Sequence, residues 1–294
     1  MENSNNYISE KLDDFSKWAR HRKTALIFSV LVLSFSIYLI TRSIRNNYQE
    51  FVLDNYYFIS FVNYFQNFSV IFYFTYQSNI LLGLALLGYT ISPTKRKFQF
   101  LFATTVMMTI VFIVFWTLIA WHIDFSNSKE LFSTATVHFL HPILAVISLF
   151  WFRKDFVLKK IGLFAAIFYM FAYYIFCLFL YIFTVKQWLS NQYDDEKFVY
   201  FYTGLTIYPF LNFLHPFFYS GNNYFLIFLL NLITFLFSFI LPYLVALLLI
   251  NLYGIRRIEW KLRPFIYNFF KRIYKLFKIT YDKTKIIFNK KEDQ

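Results

Sequence analysis

Three polar residues lie at the entrance of a long apolar segment, in the string FYFTYQSNILLG. Thr75, Ser78 and Asn79 are spaced i, i+3 and i+4, so a helix would carry them on one face. The Thr75 hydroxyl has the chemistry of a nucleophile or of a ligand-binding group. The alternative is structural, because threonine in an apolar helix commonly bonds to its own backbone and asparagine commonly bonds between helices.

Two histidines and a proline form a second group, in the string STATVHFLHPILAV. His138 and His141 are three residues apart, which predicts a shared helix face, and either imidazole could serve as a general base. Pro142 has no N–H to donate to the carbonyl of His138, so we expect a free carbonyl and a kink there. The alternative is that both histidines bond to neighbouring helices. No carboxylate or thiolate lies at ligand spacing, so no metal or other cofactor is expected.

A third group lies in the string TGLTIYPFLNFLHPFFYSGNN. Pro209 and Pro216 interrupt an apolar stretch that is too short to cross a membrane, which is typical of a re-entrant or interfacial segment. Its polar groups are Tyr208, Asn212 and His215. His122, at the end of another apolar segment, completes the set of candidate binding residues.

The composition of the chain indicates that these polar residues are carried by transmembrane helices. The chain has 294 residues, of which 59% are hydrophobic and only 15% charged, whereas soluble domains carry about 25% charged residues. Six segments are long and apolar enough to span a membrane as helices. They are Thr24 to Ile40, Val70 to Ile91, Phe98 to Trp121, Ser133 to Phe152, Ile161 to Val185 and Tyr224 to Leu252. The stretch Asn55 to Phe68 is interpreted as an interfacial segment that leads into the second helix, with a seventh short span as the alternative. The sequence therefore predicts an all-α, polytopic bundle of about six transmembrane helices.

The basic residues predict the orientation of this bundle. With six spans, 24 of the 29 Lys and Arg fall on the side of the two termini, and Lys and Arg are retained on the cytoplasmic side. We therefore expect a multi-pass protein of the plasma membrane, with both termini in the cytoplasm. A set of five residues then lies at similar depth near the outer ends of the helices, where a bundle would form a pocket in the outer leaflet: Thr75, His122, His138, His141 and His215.

The chain divides into three parts by composition: a basic segment (residues 1–23), the transmembrane domain (24–252) and a basic tail (253–294). In the tail, apolar residues recur at helical spacing after Pro264, and lysine and arginine occupy the remaining face. This pattern predicts an amphipathic helix that lies on an anionic inner leaflet. The expected partners are therefore membrane lipids, and no nucleic acid partner is expected.

These motifs and their order resemble the FAR-type, androgen-induced-gene family of six-span membrane proteins, and in particular its bacterial branch. The likeness covers about Thr24 to Leu252. It rests on the entry to the second helix (Phe74, Thr75, Asn79), on His138 with Pro142, and on the segment from Tyr208 to Asn212.

The resemblance implies a threonine hydrolase of fatty acyl esters. Thr75 would be the nucleophile and His138 the base, with His141, His122 or His215 as an alternative base or binding group. Asn79, Tyr208 or Asn212 would orient the base or bind the substrate. The sequence differs from the expected bacterial pattern in its second histidine, His141, and in Asn212 where an aspartate is expected. A protein that binds or transports lipids or small molecules without chemistry is the alternative.

Overall fold

The computed structural model describes residues 15, 18–45, 52–53, 56–57, 61, 65–122, 128–184, 205–219 and 221–258. Its long helices follow the apolar segments of the sequence. They are α1 (Arg20–Arg45), α2 (Phe74–Ile91), α3 (Lys95–Val114), α4 (Ser128–Ala135), α5 (His141–Phe152), α6 (Lys160–Thr184) and α7 (Tyr224–Tyr253). A short antiparallel pair, β1 (Val52–Leu53) with β2 (Tyr56–Tyr57), joins α1 to the second span.

The long apolar helices of the structure coincide with the predicted spans. Five helical stretches are long and apolar enough to cross a membrane, and the number is six when the bent pair Gln66–Phe72 with Phe74–Ile91 is counted as one span. The five include two composite ones, Lys95–Ile119 and Leu131–Phe152, the second of which joins α4 to α5. The architecture is therefore an all-α polytopic bundle, as the sequence predicts. The basic tail beyond residue 258 lies outside the described residues, as does half of the stretch Asn55 to Phe68.

Helix α3 is the centre of the bundle. It contacts α2, α5, α6 and α7, whereas α1 packs mainly on α2. Its interior threonines are compatible with this position because each bonds within the helix: the Thr104 and Thr105 hydroxyls both donate to the Leu101 carbonyl, at 3.0 and 2.8 Å. A central helix can therefore bury polar side chains without partners from other helices.

The second span is broken near one end. A 3-10 turn, Gln66–Phe72, precedes α2 and meets it at 57°, with Tyr73 extended between them. The continuous span expected from Val70 to Ile91 is therefore a shorter helix that begins at Phe74. The break places the first turn of α2, with its free N–H groups, inside the bundle.

The basic loops gather at one end of the bundle. The Arg22 guanidinium donates to the carbonyls of Thr90 and Ile91, which ties the start of α1 to the end of α2. The Leu158 N–H donates to the Arg256 carbonyl at 2.8 Å, which ties the start of α6 to the end of α7. We call this the basic end; the starts of α2 and α4 lie at the opposite end.

Helices α1 and α2 approach closely at Gly83. A Cβ atom there would lie 2.5 Å from Leu33 Cγ and 3.3 Å from the Leu33 backbone nitrogen. We expect Gly83→Ala to destabilise the protein by about 1 kcal/mol or more, because overpacking forces the helices apart. Gly88→Ala is the matched control, since the nearest atom to its Cβ is 4.0 Å away and alanine favours a helix. Thermal unfolding of both variants in detergent measures the difference, and equal midpoints would contradict the close approach.

Candidate functional site

Thr75 is placed by the break in the second span. It is the second residue of α2, where the backbone N–H groups have no partner within the helix. The Tyr173 hydroxyl, from α6, accepts a hydrogen bond from the Phe74 N–H (3.2 Å) and donates one to the Phe72 carbonyl (2.9 Å). The ring of Tyr208 packs edge-on against that of Tyr73, with centroids 5.5 Å apart. A tyrosine from α6 therefore caps the start of α2, and a second tyrosine packs beside it.

His138 is placed by two π turns. One, Phe115–Ile119, continues α3, and the other, Thr136–Leu140, separates α4 from α5. Their side chains meet where the ring of His138 stacks on that of Phe115, with centroids 3.9 Å apart and 15° between the planes. His138 Nδ1 is buried and has no hydrogen-bond partner. The imidazole is thus held by stacking, and Nδ1 is not committed to a hydrogen bond.

The π turn also changes what Pro142 does. The His141 N–H donates to the Thr136 carbonyl, five residues back rather than four. Because the bonds shift by one residue, the carbonyl that Pro142 leaves free is that of Val137. The free His138 carbonyl stays a prediction, and Leu131–Phe152 continues through the π turn as one span.

Thr75 and His138 lie at similar depth. Thr75 precedes Ile91, the last residue of α2, by 16 residues, and His138 precedes Phe152, the last residue of α5, by 14. At 1.5 Å per residue these positions are about 24 and 21 Å from the basic end. Both residues are therefore in the half of the bundle that is opposite to the basic end.

Two cavities meet at these residues. The first is an apolar cavity of about 100 Å³ that extends between α3, α6 and α7 as far as Ser238 and Leu241. The second is wider, about 560 Å³, and extends toward Ser43 and Ser69. The residues that line both are Thr75, Phe115, Ile119, His138, Tyr208 and Phe210. A hydroxyl, an imidazole and a phenol therefore stand at the junction between an apolar and a more polar compartment.

Asn79 connects the helices that carry Thr75 and His138. Its side-chain amide donates to the Thr75 carbonyl (2.7 Å) and to the Val137 carbonyl (3.4 Å), the one freed by Pro142. Its Oδ1 lies 2.5 Å from His141 Nδ1. Since Nδ2 donates to two carbonyls, Oδ1 is the acceptor for the histidine, and His141 carries its proton on Nδ1. Asn79 thus fixes α2 against the π turn.

His141 has a different position from His138. It is fully buried, and it lines neither cavity. The prediction that the two histidines share a face is therefore wrong, because the π turn rotates them apart and directs His141 toward Asn79. Only His138 faces the compartment that Thr75 faces.

Of the candidate site residues in the interrupted segment, some line the cavities and others do not. Tyr208 lines both cavities together with Thr75, but Asn212 accepts hydrogen bonds from the N–H groups of Leu214 and His215 and so forms a turn. His215 Nδ1 lies 3.1 Å from the Tyr219 carbonyl oxygen. Neither Asn212 nor His215 lines the two cavities. The backbone of His122 ends a 3-10 turn, Ala120–His122, and its side chain is outside the described part of the structure.

The interrupted segment also closes the cavities with strained backbone. Phe217 and Phe218 have φ values of 51° and 64°, in the left-handed region that bulky residues avoid. Phe217 lines the apolar cavity and Phe218 lines the wider one. Such conformations cost on the order of 1–3 kcal/mol each and are concentrated at ligand-binding and active sites.

Sequence reasoning missed Phe115 and Tyr173. Nothing marks Phe115 among 43 phenylalanines, and its role follows from a π turn that periodicity does not predict. Tyr173 lies in the middle of an apolar span, where a tyrosine hydroxyl needs a hydrogen-bond partner. The sequence therefore indicates that Tyr173 has such a partner but does not identify it. Within the described ranges, no three His, Cys, Asp or Glu side chains converge as a metal site would require.

Comparison with known proteins gives no relative from which a role can be transferred. No protein-family profile, curated protein or solved structure matches the chain.

Proposed function

We propose that this protein is a membrane hydrolase that cleaves fatty acyl esters, with Thr75 as the nucleophile and His138 as the general base. The observation that carries the proposal is that these two side chains, from separate spans, line both cavities at their junction. Tyr208 shares this position. An ester bond at the junction would have its acyl chain in the apolar cavity and its alcohol in the wider one.

The chemistry proceeds in two steps through an acyl-threonine. Thr75 Oγ attacks the ester carbonyl carbon while a ring nitrogen of His138 takes the hydroxyl proton. The Tyr208 phenol, protonated at neutral pH because its ordinary pKa is near 10, donates a hydrogen bond to the carbonyl oxygen as negative charge develops. The alcohol leaves with the proton from His138. Water then attacks the acyl carbon while His138 takes a proton from it, the fatty acid leaves, and the proton passes to Thr75 Oγ and regenerates the hydroxyl.

The surroundings of His138 favour it over His141 as the base. His138 faces the cavities and has an unpartnered Nδ1, whereas His141 uses Nδ1–H to bind Asn79. A base must be able to reach the proton that it removes. Asn79 acts in this scheme as a positioning residue that holds α2 against the His138 helix.

The proposed setting is the outer leaflet of a plasma membrane. The basic end holds the loops between α2 and α3 and between α5 and α6, and basic loops are retained in the cytoplasm. The site is in the opposite half of the bundle, where a substrate could enter from the lipid with its ester near the headgroup boundary. We further propose that the basic tail binds the anionic inner leaflet.

The direct test is covalent labelling of the purified, full-length protein with a fluorophosphonate probe. Labelling is expected on the peptide that contains Thr75, mapped by mass spectrometry, and preincubation with a long-chain acyl ester should protect against it. Absence of both labelling and ester turnover, with the protein folded, would overturn the hydrolase.

The apolar cavity predicts a dependence on acyl chain length. Ser238 lines this cavity, so Ser238→Leu fills part of it and should lower turnover of long-chain esters several-fold more than that of short-chain esters. Leu236→Phe is the control, because Leu236 is on the same helix with 42% of its surface exposed. The measurement is turnover of a series of p-nitrophenyl esters. An unchanged chain-length profile in Ser238→Leu would place the acyl chain elsewhere.

The second candidate function is binding or transport of a lipid or small molecule without chemistry. It is favoured by one observation: among the described residues, His138 Nδ1 has no hydrogen-bond partner, so no group orients the imidazole through this nitrogen as one does in a catalytic triad. This function predicts that Thr75→Ala retains binding of a fluorescent fatty acyl ester that the wild type does not hydrolyse.

A further inference from the structure

A third cavity lies at the basic end, far from Thr75. It is formed between the starts of α3 and α6 and has a volume of about 640 Å³, within the range of small-molecule sites. Four of its lining residues are cationic: Lys95, Arg96, Lys159 and Lys160. The proposed hydrolase makes no use of this cavity.

The two helix starts are held side by side by Gln99. Its Oε1 accepts a hydrogen bond from the Lys159 N–H (2.8 Å), and its Nε2 donates to the Val157 carbonyl (3.1 Å). Gly162 permits this contact, since a Cβ atom there would lie 2.8 Å from Gln99 Oε1. The cationic side chains therefore stand on a backbone that a buried amide fixes.

The cations of this cavity lack a carboxylate partner within the described residues. The described chain has one carboxylate at the basic end, that of Asp155, and it accepts a hydrogen bond from the Tyr89 hydroxyl at 2.7 Å. The remaining wall is apolar, from Phe100, Ile161 and Ala165. Ile161 is 66% exposed and Phe100 40% exposed, on helices that span the membrane. The cavity is thus cationic on one side and continuous with the lipid-facing surface on the other.

We propose that this cavity binds the phosphate headgroup of an anionic phospholipid from the leaflet at the basic end. The four cations neutralise the phosphate, and the exposed apolar wall accommodates the first carbons of the acyl chains. Basic pockets between transmembrane helices are the usual recognition sites for such headgroups. A free phosphate ion would use the same cations and would gain nothing from Phe100 and Ile161.

The test compares two variants with the same loss of charge. Lys95→Gln/Lys160→Gln removes two cations from the cavity, and Lys97→Gln/Lys154→Gln removes two from the same end outside it. The dissociation constants of the full-length protein in neutral detergent for phosphatidylglycerol and for phosphatidylcholine are measured by native mass spectrometry. We expect the cavity variant to bind phosphatidylglycerol on the order of 30-fold more weakly than the wild type. The control variant should remain within about threefold, and phosphatidylcholine should bind weakly to all three proteins.

Several results would overturn the proposal. Equal weakening in both variants means that the basic end attracts anionic lipid without a site. If glycerol 3-phosphate, which has no acyl chains, binds as tightly as phosphatidylglycerol, the ligand is a soluble phosphate and not a lipid. Should the first variant fail to fold, Arg96→Gln/Lys159→Gln removes the other two cations of the cavity and is held to the same expectation.

Discussion

Replacing Thr75 with alanine is expected to lower ester turnover by more than about 10⁴-fold and to abolish fluorophosphonate labelling. Removal of a catalytic nucleophile has effects of this size, because the residual rate comes only from binding and oxyanion stabilisation. Thr75→Ser, which retains a hydroxyl, should keep measurable labelling. Turnover of a long-chain ester and intact-mass analysis of the labelled protein measure both effects.

Ser78→Ala is the matched control for Thr75→Ala. Ser78 is one turn further along α2 and is fully buried, and its Oγ has no hydrogen-bond partner. Removing an unsatisfied buried hydroxyl costs little and can stabilise a protein. We expect Ser78→Ala to retain labelling and turnover within about twofold. Labelling of Thr75→Ala at the wild-type level would remove Thr75 from the chemistry.

Replacing Asn79 with leucine is expected to cause the largest loss of stability, about 2–4 kcal/mol. Leucine has a similar size, but it leaves the His141 Nδ1–H and the Val137 carbonyl buried without partners, each at a cost of about 1–3 kcal/mol. Turnover should fall as well, because Asn79 holds the helices of Thr75 and His138 together. The unfolding free energy in detergent and ester turnover are measured on the same preparation.

A double-mutant cycle separates the Asn79 network from general loss of packing. His141→Leu removes the partner of Asn79 Oδ1, so the double variant Asn79→Leu/His141→Leu should lose less stability than the sum of the two single changes. Additive losses would show that the two side chains are not coupled, in contradiction of their 2.5 Å contact.

The spans could be predicted from the sequence because a helix that crosses a membrane needs about 20 apolar residues. A continuous run of this length can be recognised without knowledge of the fold. The same reasoning predicted that Thr75, His138 and Tyr208 lie toward one end of the bundle, and the structure brings them together around two cavities. Depth in a membrane follows from counting residues along a helix, which a sequence permits.

Rotation about the helix axis could not be predicted in the same way. His138 and His141 share a face only if the helix is α-helical between them, and the π turn over Thr136–Leu140 removes that condition. The break at Tyr73 likewise depends on Tyr173, about 100 residues away, which satisfies the Phe72 carbonyl and the Phe74 N–H. The π turn and the break at Tyr73 both depend on contacts between spans, so no local sequence pattern predicts them.

The two π turns make the site sensitive to the number of residues as well as to their identity. A π turn holds one residue more than an α turn, and each residue of an α-helix rotates the chain by about 100°. Deleting a single residue from Thr136–Leu140 would let the span become α-helical throughout, while its flanking segments keep nearly the same relative orientation. Five residues of a π turn cover about the same rotation as four residues of an α-helix. The side chains inside the turn, including His138, would move relative to α3, so we expect the stack of His138 on Phe115 to be lost. In this protein the extra residue of each π turn sets the positions of Phe115 and His138, whereas the flanking helices keep their alignment.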